Sequence, residues 1–420
     1  MPNNSKPTIV FLTSGWANVD ENIREGKAPG GVPSVVRSWT TCLEHGWDVH
    51  VFIETRCEEG RPNETEELGG VKFHWITPAF PKFTRWLADR QLYGWFKIFW
   101  IISQLKMICR LKKSKVKPDI IYAMRSTFAL FALIWAHFCK AKVVLRCYGT
   151  FLYDAWFAKK DWFTRIKLLG PLMLFKLPFD LLIMTNDGTQ GDKVAKWAGF
   201  DMDKFWFRIN GVNKDLKIDG FDSSIVRKEI GISENDHMIM TLGRLTYWKR
   251  IDRIINAIPD IQRKFPDIKL VIVGSGELRG ELEKQVKKLK LENTVIFMGS
   301  ITHEQVKYYL NTTDIFIMPN DVTNMCSTLI EALTAGCCVV TRDVGSTAEI
   351  VTDDVNAIVL KKEESEAEDF AKAIIGLFNS PERIERLKRN AYEQAMHQFY
   401  TWDERMQMEV DELKRLLTDG

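Results

Sequence analysis

Short apolar runs alternate with stretches of helical periodicity along most of the chain, and this alternation constrains the fold more than any other feature. An apolar run of about four to eight residues bounded by polar turns reads as a strand buried on both faces. Such strands belong to parallel sheets whose crossovers are helices. In the first half the runs fall at 8–12, 48–53, 118–122, 142–146, 181–185 and 205–209, with a helix expected over 33–45. In the second half they fall at 238–242, 269–273, 294–297, 314–318 and 338–341, with helices near 303–311 and 326–335. Ile251, Ile254, Ile255, Ile258 and Ile261 share one helical face, and Leu278, Leu282, Val286 and Leu289 another. The expected class is α/β, with two doubly wound Rossmann-like domains facing a central cleft, which 420 residues accommodate. The expected boundaries are 1–210, 211–380 and a helix-only tail over 381–420, in which Met406, Val410, Leu413 and Leu417 form a stripe.

Composition removes several function classes. The longer apolar stretches are broken, one by Lys97 and another by Lys176 and Pro178, and none reaches the roughly 20 clean residues of a spanning helix. The opening residues lack a basic stretch followed by an apolar one, so no secretory signal is read. Eight cysteines form no CxxC pair and read as reduced thiols of a cytoplasmic protein. Charge is unevenly placed. Residues 80–117 carry ten cations against the single acid Asp89, interleaved with Trp86, Trp95, Phe96, Phe99 and Trp100. A second aromatic and basic stretch, 151–179, includes Trp156, Lys159, Lys160, Trp162, Arg165 and Lys167. This interleaving suits an anionic membrane surface. A helix burying its aromatic face is the alternative, and no other feature points to nucleic acid.

Several catalytic motifs are missing: no GxxxxGK[ST] loop, no HExxH and no GxSxG. Asp201-Met202-Asp203 is a DxD by letter, but it sits on an expected loop and reads as a solvated turn rather than a metal site. Gly274-Ser275-Gly276 follows one strand and precedes a helix, which brings backbone N–H groups near a ligand at a helix N-terminus. The third glycine of a dinucleotide fingerprint is absent, so no nicotinamide cofactor is expected. The run Gly243-Arg244-Leu245-Thr246-Tyr247-Trp248-Lys249 leaves another strand with two cations five residues apart. A planar guanidinium and a point-charge ammonium at the carboxyl end of a parallel strand suit a diphosphate. Ser327-Thr328-Leu329-Ile330-Glu331 places one carboxylate near a helix start, where it can accept two ribose hydroxyls.

The sequence from GRLTYWKR, through LVIVGSGELRGELE and VIFMGSITHEQVKYYLNTTDIFIMP, to STLIEALTAGCCVVTRDVGSTAEIV resembles the donor-binding domain of family 4 glycosyltransferases. These are retaining enzymes of the two-Rossmann GT-B fold. Gly30-Gly31-Val32 is similar to the family's N-terminal glycine loop, and Asn210-Gly211-Val212 to its domain-junction motif. The resemblance implies that Arg244 and Lys249 hold and stabilise the departing diphosphate, and that Glu331, with Ser327 and Thr328, binds the donor. It implies that Gly274, Ser275 and Gly299 frame the nucleoside, that Gly30 and Gly31 let backbone approach the phosphates, and that the C-terminal helices return to the first domain. Two positions depart from the family. Eight residues before Glu331, where a second glutamate is usual, stands Thr323, so Asp321 or Asn324 is expected to contact the donor sugar. The usual histidine-glycine pair is Tyr148-Gly149, and Tyr148 either lines the reaction site or packs.

The implied activity is metal-independent retaining transfer of a sugar, with UDP ranked before GDP as the carrier and no cofactor beyond the nucleotide sugar. The expected acceptor is a membrane-associated glycan or lipid-linked hydroxyl, reached from the inner face of the membrane. A non-catalytic nucleotide- or carbohydrate-binding relative and a sugar-nucleotide epimerase are the alternatives. The epimerase would need an acid/base cluster that the seven histidines do not form.

Overall fold

The computed structural model describes residues 6–14, 33–54, 65–76, 105–158, 162–361 and 366–418. The chain divides into two compact units. One comprises Met1–Thr185, Asp192–Arg208 and Asp403–Gly420, and the other Asn186–Gly191 and Ile209–Trp402.

The first unit is built on β1 (Thr8–Ser14), β2 (Asp48–Glu54), β3 (Thr65–Leu68), β4 (Val71–Ile76), β5 (Ile120–Ala123), β6 (Lys142–Cys147), β7 (Leu181–Thr185) and β8 (Phe205–Arg208). Their order is β3-β4-β2-β1-β5-β6-β7-β8, parallel except for the β3–β4 hairpin. Ile9 lies opposite Val49 on one side and Ile120 on the other, so apolar β-branched side chains run across the centre of the sheet. Helices α1 (Pro33–Glu44), α2 (Ala129–Cys139), α3 (Trp162–Lys167), α4 (Leu169–Met173) and α5 (Gly191–Ala198) follow in chain order.

The second unit carries β9 (His237–Leu242), β10 (Ile268–Val273), β11 (Val295–Gly299), β12 (Ile315–Met318), β13 (Cys338–Arg342) and β14 (Ile358–Leu360), ordered β11-β10-β9-β12-β13-β14 and all parallel. Its helices are α6 (Ser224–Glu229), α7 (Ile251–Gln262), α8 (Arg279–Lys288), α9 (His303–Thr312), α10 (Ser327–Thr334), α11 (Ala367–Phe378) and α12 (Pro381–Gln398). The five isoleucines of α7 are all buried, as their spacing requires. Strand order reverses between β9 and β12. Open α/β sheets bind ligands at the carboxyl ends of the strands flanking such a reversal.

The helical tail divides. Helix α12 stays in the second unit, where Ala391 and Ala395 join the core containing Leu329 and Leu333 of α10. The final helix, α13 (Trp402–Thr418), belongs to the first unit from Asp403 onward, with Val410 and Leu413 in the core that contains Ile9 and Tyr122. Its Glu409 is wholly buried. The carboxylate accepts from Arg146 Nη1 (2.6 Å), Arg405 Nη1 (2.9 Å), the Tyr122 hydroxyl (2.7 Å) and the Ser38 hydroxyl (3.1 Å). Burial opposes ionisation, but the two guanidinium groups prevail and hold Glu409 below the usual carboxylate range.

Candidate nucleotide-sugar site

The loops leaving β9, β10 and β11 are laced together by backbone hydrogen bonds. Gly243 N–H donates to Val273 (2.9 Å), Gly274 N–H to Gly299 (2.7 Å) and Leu245 N–H to Ser275 (3.0 Å). Gly274 has φ +136°, and a Cβ there would lie 1.9 Å from the Gly243 carbonyl oxygen. Only glycine permits that approach. A cavity of about 260 Å³ opens above these loops, lined by Leu242, Gly243, Arg244, Gly274, Ser275 and Ser300 among others, with the Ser275 and Ser300 hydroxyls 2.9 Å apart.

Arg244 is exposed at the rim of this cavity. Lys249 ends a single 3-10 turn (Tyr247–Lys249) and is only 8% exposed. Its Nζ lies 4.4 Å from the centre of the Trp248 ring and 3.9 Å from where a Gly243 Cβ would stand, so the ammonium folds back over the loop that carries Arg244. Among the described residues no ion pair is formed by Arg244 or Lys249. A buried ammonium so placed favours an anionic ligand.

Asp321 is held by three arginines. Its oxygens are taken by Arg250 (2.9 Å), Arg253 (3.1 Å) and Arg342, while its N–H donates to the Trp248 carbonyl (2.9 Å). Burial works against the charge, yet the arginine contacts hold the carboxyl below its usual range. Asn324 is equally engaged: its Oδ1 accepts from Asn320 N–H (3.3 Å) and its Nδ2 donates to the Arg342 carbonyl (3.2 Å). These are the two residues expected to contact the donor sugar, and each is held in place by the contacts above. Both tie the loop after β12 to its surroundings, and Asp321 ties it to the lysine turn. Thr323 donates to the Asp187 carbonyl (2.8 Å) and accepts from Met325 N–H (3.1 Å). A Cβ on Gly188 would stand 2.2 Å from the Thr323 hydroxyl oxygen. The backbone of 187–188 thus fills the space that a longer glutamate side chain would need.

Glu331 lies on the fifth residue of α10, its side chain 15% exposed, with burial pushing its carboxyl up to about 7. Its nearest basic group is His303 Nδ1 at 4.0 Å. Helix α10 begins at Ser327 and Thr328 without a side-chain cap from Cys326, leaving first-turn N–H groups for a ligand. His303 at the start of α9 and Asp187 after β7, the latter pushed up to about 6 by burial, are site-flanking residues that sequence reasoning missed. A polar cluster immediately after a buried strand was the available signal for Asp187.

Tyr148 packs in the first unit, with the Arg146 guanidinium 5.3 Å from its ring centre. Asn210 precedes Gly211, whose Cβ would lie 2.6 Å from the Trp402 Cα. Asp201 Oδ1 accepts from Asp203 N–H at 3.1 Å in an exposed turn. Gly30 and Gly31 lie outside the described residues, as do 80–104 of the first basic and aromatic stretch.

Residues 222–394 match the model of the family described as glycosyl transferases group 1. The chain is 30% identical over 179 residues to an uncharacterised glycosyltransferase of Methanocaldococcus jannaschii, covering 42% of this chain and 46% of that one. It is 29% identical over 168 residues to a phosphatidylinositol N-acetylglucosaminyltransferase component of Homo sapiens, covering 39% and 33%. The chain thus spans less than half the length of these curated relatives. Its fold is similar to that of Anabaena HepE crystallised with UDP-glucose, with a TM-score of 0.70, 17% identity and coverage of 96% of this chain and 99% of that one.

Proposed function

We propose that this chain, a two-Rossmann GT-B protein carrying a glycosyl transferases group 1 domain, transfers a sugar from a nucleoside diphosphate donor to an acceptor hydroxyl with retained anomeric configuration. The observation that carries the reading is Lys249, a buried residue that forms no ion pair among the described residues and stands with Arg244 beside the glycine-walled cavity at the carboxyl ends of β9, β10 and β11. In this reading the diphosphate lies over Gly243 and Gly274, and Glu331 accepts the ribose hydroxyls. The bond from the sugar's anomeric carbon to the diphosphate oxygen breaks as the acceptor oxygen bonds to the same carbon. A donor phosphate oxygen receives the acceptor's proton. Arg244 and Lys249 neutralise the charge that grows on the leaving group, so the step needs no metal ion.

UDP is the first carrier to test and GDP the second, a ranking supported by the UDP-glucose held by the Anabaena neighbour. A lipid-linked or glycan acceptor at the inner face of a membrane is supported by the human relative, part of a phosphatidylinositol N-acetylglucosaminyltransferase. No helix among the described residues is long and apolar enough to cross a membrane.

The test is a panel of UDP- and GDP-sugars followed by donor hydrolysis and transfer. Arg244→Ala and Lys249→Ala should each lose about 2–4 kcal/mol of transition-state stabilisation, roughly 30- to 1000-fold in rate, while circular dichroism stays unchanged. Near wild-type rates in both variants would refute the diphosphate site. Nucleotide binding without hydrolysis or transfer would point to a binding module instead.

A further inference from the structure

Helices α3 and α4 present an apolar stripe to solvent rather than to the core. Trp162 and Ile166 lie about one turn apart on α3, and Leu169 and Met173 about one turn apart on α4, beyond the break at Leu168. They are 69%, 55%, 49% and 59% exposed. The patch continues through an aromatic cluster. Phe157 meets Trp197 of α5 edge-on at 5.4 Å, Trp156 lies 5.9 Å from the same ring, and Tyr153 lies 5.0 Å from Phe157. Cations sit among these rings, with Arg165 over Trp156 at 5.9 Å and Lys193 over Tyr153 at 5.5 Å. Lys176 and Lys196 are exposed nearby. Residues 153–197, which hold the whole patch, contain seven cations and five acids, and the stretch 162–179 within them contains three cations and no acid.

We propose that this face of the first unit docks on an anionic lipid bilayer. Ile166, Leu169, Met173 and the Trp162 and Trp197 rings enter the boundary between headgroups and acyl chains, while Lys176, Lys193 and Lys196 meet lipid phosphates; Arg165 holds the turn before α3 through the Ala155 and Trp156 carbonyls. Two physical points favour this occupant. Two helices of six and five residues are each under about 10 Å long, too short to span a membrane and suited to lying in its surface. Amphipathic aromatic rings beside lysines match the layered polarity of that boundary, and each lysine near an anionic surface strengthens the attraction. A second copy of the chain is disfavoured, because a two-fold contact would set these cations against themselves. The proposal deepens the transferase reading by giving the surface on which a lipid-linked acceptor is met, and depends on that reading only for its purpose.

The experiment is sedimentation of the full chain with vesicles of phosphatidylcholine alone or mixed with phosphatidylglycerol, without donor. Binding should require the anionic lipid and fall in high salt. The triple variant Ile166→Ser, Leu169→Ser, Met173→Ser should lower the partition coefficient at least tenfold, as should Lys176→Ser, Lys193→Ser, Lys196→Ser. The circular dichroism spectrum and melting temperature of each variant should stay at the wild-type values and so certify the fold of the first unit. Equal recovery in the supernatant with and without anionic lipid would overturn the proposal, as would a triple serine variant that binds vesicles like the wild type. A concentration-dependent dimer abolished by the serine changes would overturn it in favour of self-association. Failure on vesicles with intact UDP-sugar hydrolysis leaves the transferase reading standing, and the reverse result refutes that reading alone.

Discussion

Glu331 is a carboxylate whose surroundings disfavour its charge until something arrives to use it. Burial raises its folded-state value to about 7, against an ordinary 4.5 in the unfolded chain. A carboxyl raised on folding leaves stability untouched below its unfolded value. It costs progressively more as pH rises from there, and the cost levels off above the folded value. Glu331→Gln should therefore stabilise the unliganded protein by up to about 3 kcal/mol at pH 8 and little at pH 4.5, as read by urea midpoints. The same change should weaken UDP binding. In the wild type, UDP affinity should fall as pH drops below about 7, while Glu331→Gln should show no such dependence. A second residue-scale expectation concerns Asp321. Removing it leaves Arg253 and Arg342, both buried, without the carboxylate they share. Asp321→Ala should cost about 2–3 kcal/mol, less than a fully enclosed pair because Asp321 is itself partly wet. An unchanged melting temperature would contradict the anchoring role. Asp321 and Asn324 also show what sequence reading leaves out: arginines from β13 and α7 engage the loop after β12, a packing that the local sequence does not state.

Element by element, legibility follows how local the determining signal is. The isoleucines of α7 and the apolar runs of β9, β10 and β12 state their burial in their own spacing. Hairpin β3–β4 was missed, because β3 reads Thr-Glu-Glu-Leu and is half-exposed. A signal was nevertheless present in Gly69-Gly70, a two-residue turn in which both φ angles are positive, as a tight hairpin requires. Strand β14 has three residues and carries no pattern of its own. Helix α13 was legible as an amphipathic stripe, but Glu409 in the middle of it was not, since its partners come from β5, β6 and α1. Glu409→Ala removes the carboxylate that two buried guanidinium groups share, and should cost about 3–5 kcal/mol. The loss should appear in hydrogen exchange as faster opening of β5, β6 and β7. Unaltered protection there would show that the network contributes nothing net.

At the scale of the molecule, the two-unit plan and the strand reversal of the second unit could be read from alternation, because each βαβ step repeats the same local rule. The division of the tail between the units could not, since it is set by which core each of the last two helices joins. That arrangement has a consequence for how the protein is made. Ser38, Tyr122 and Arg146 leave the ribosome far ahead of Glu409, their shared partner. Until residue 409 has been made, the part made first holds a guanidinium in its forming interior with that counter-charge still unsynthesised. The second unit, lying between, can reach its native packing earlier. Maturation therefore runs against the order of synthesis, and a prematurely terminated chain carries an incomplete first unit that proteases and chaperones can distinguish from the finished product.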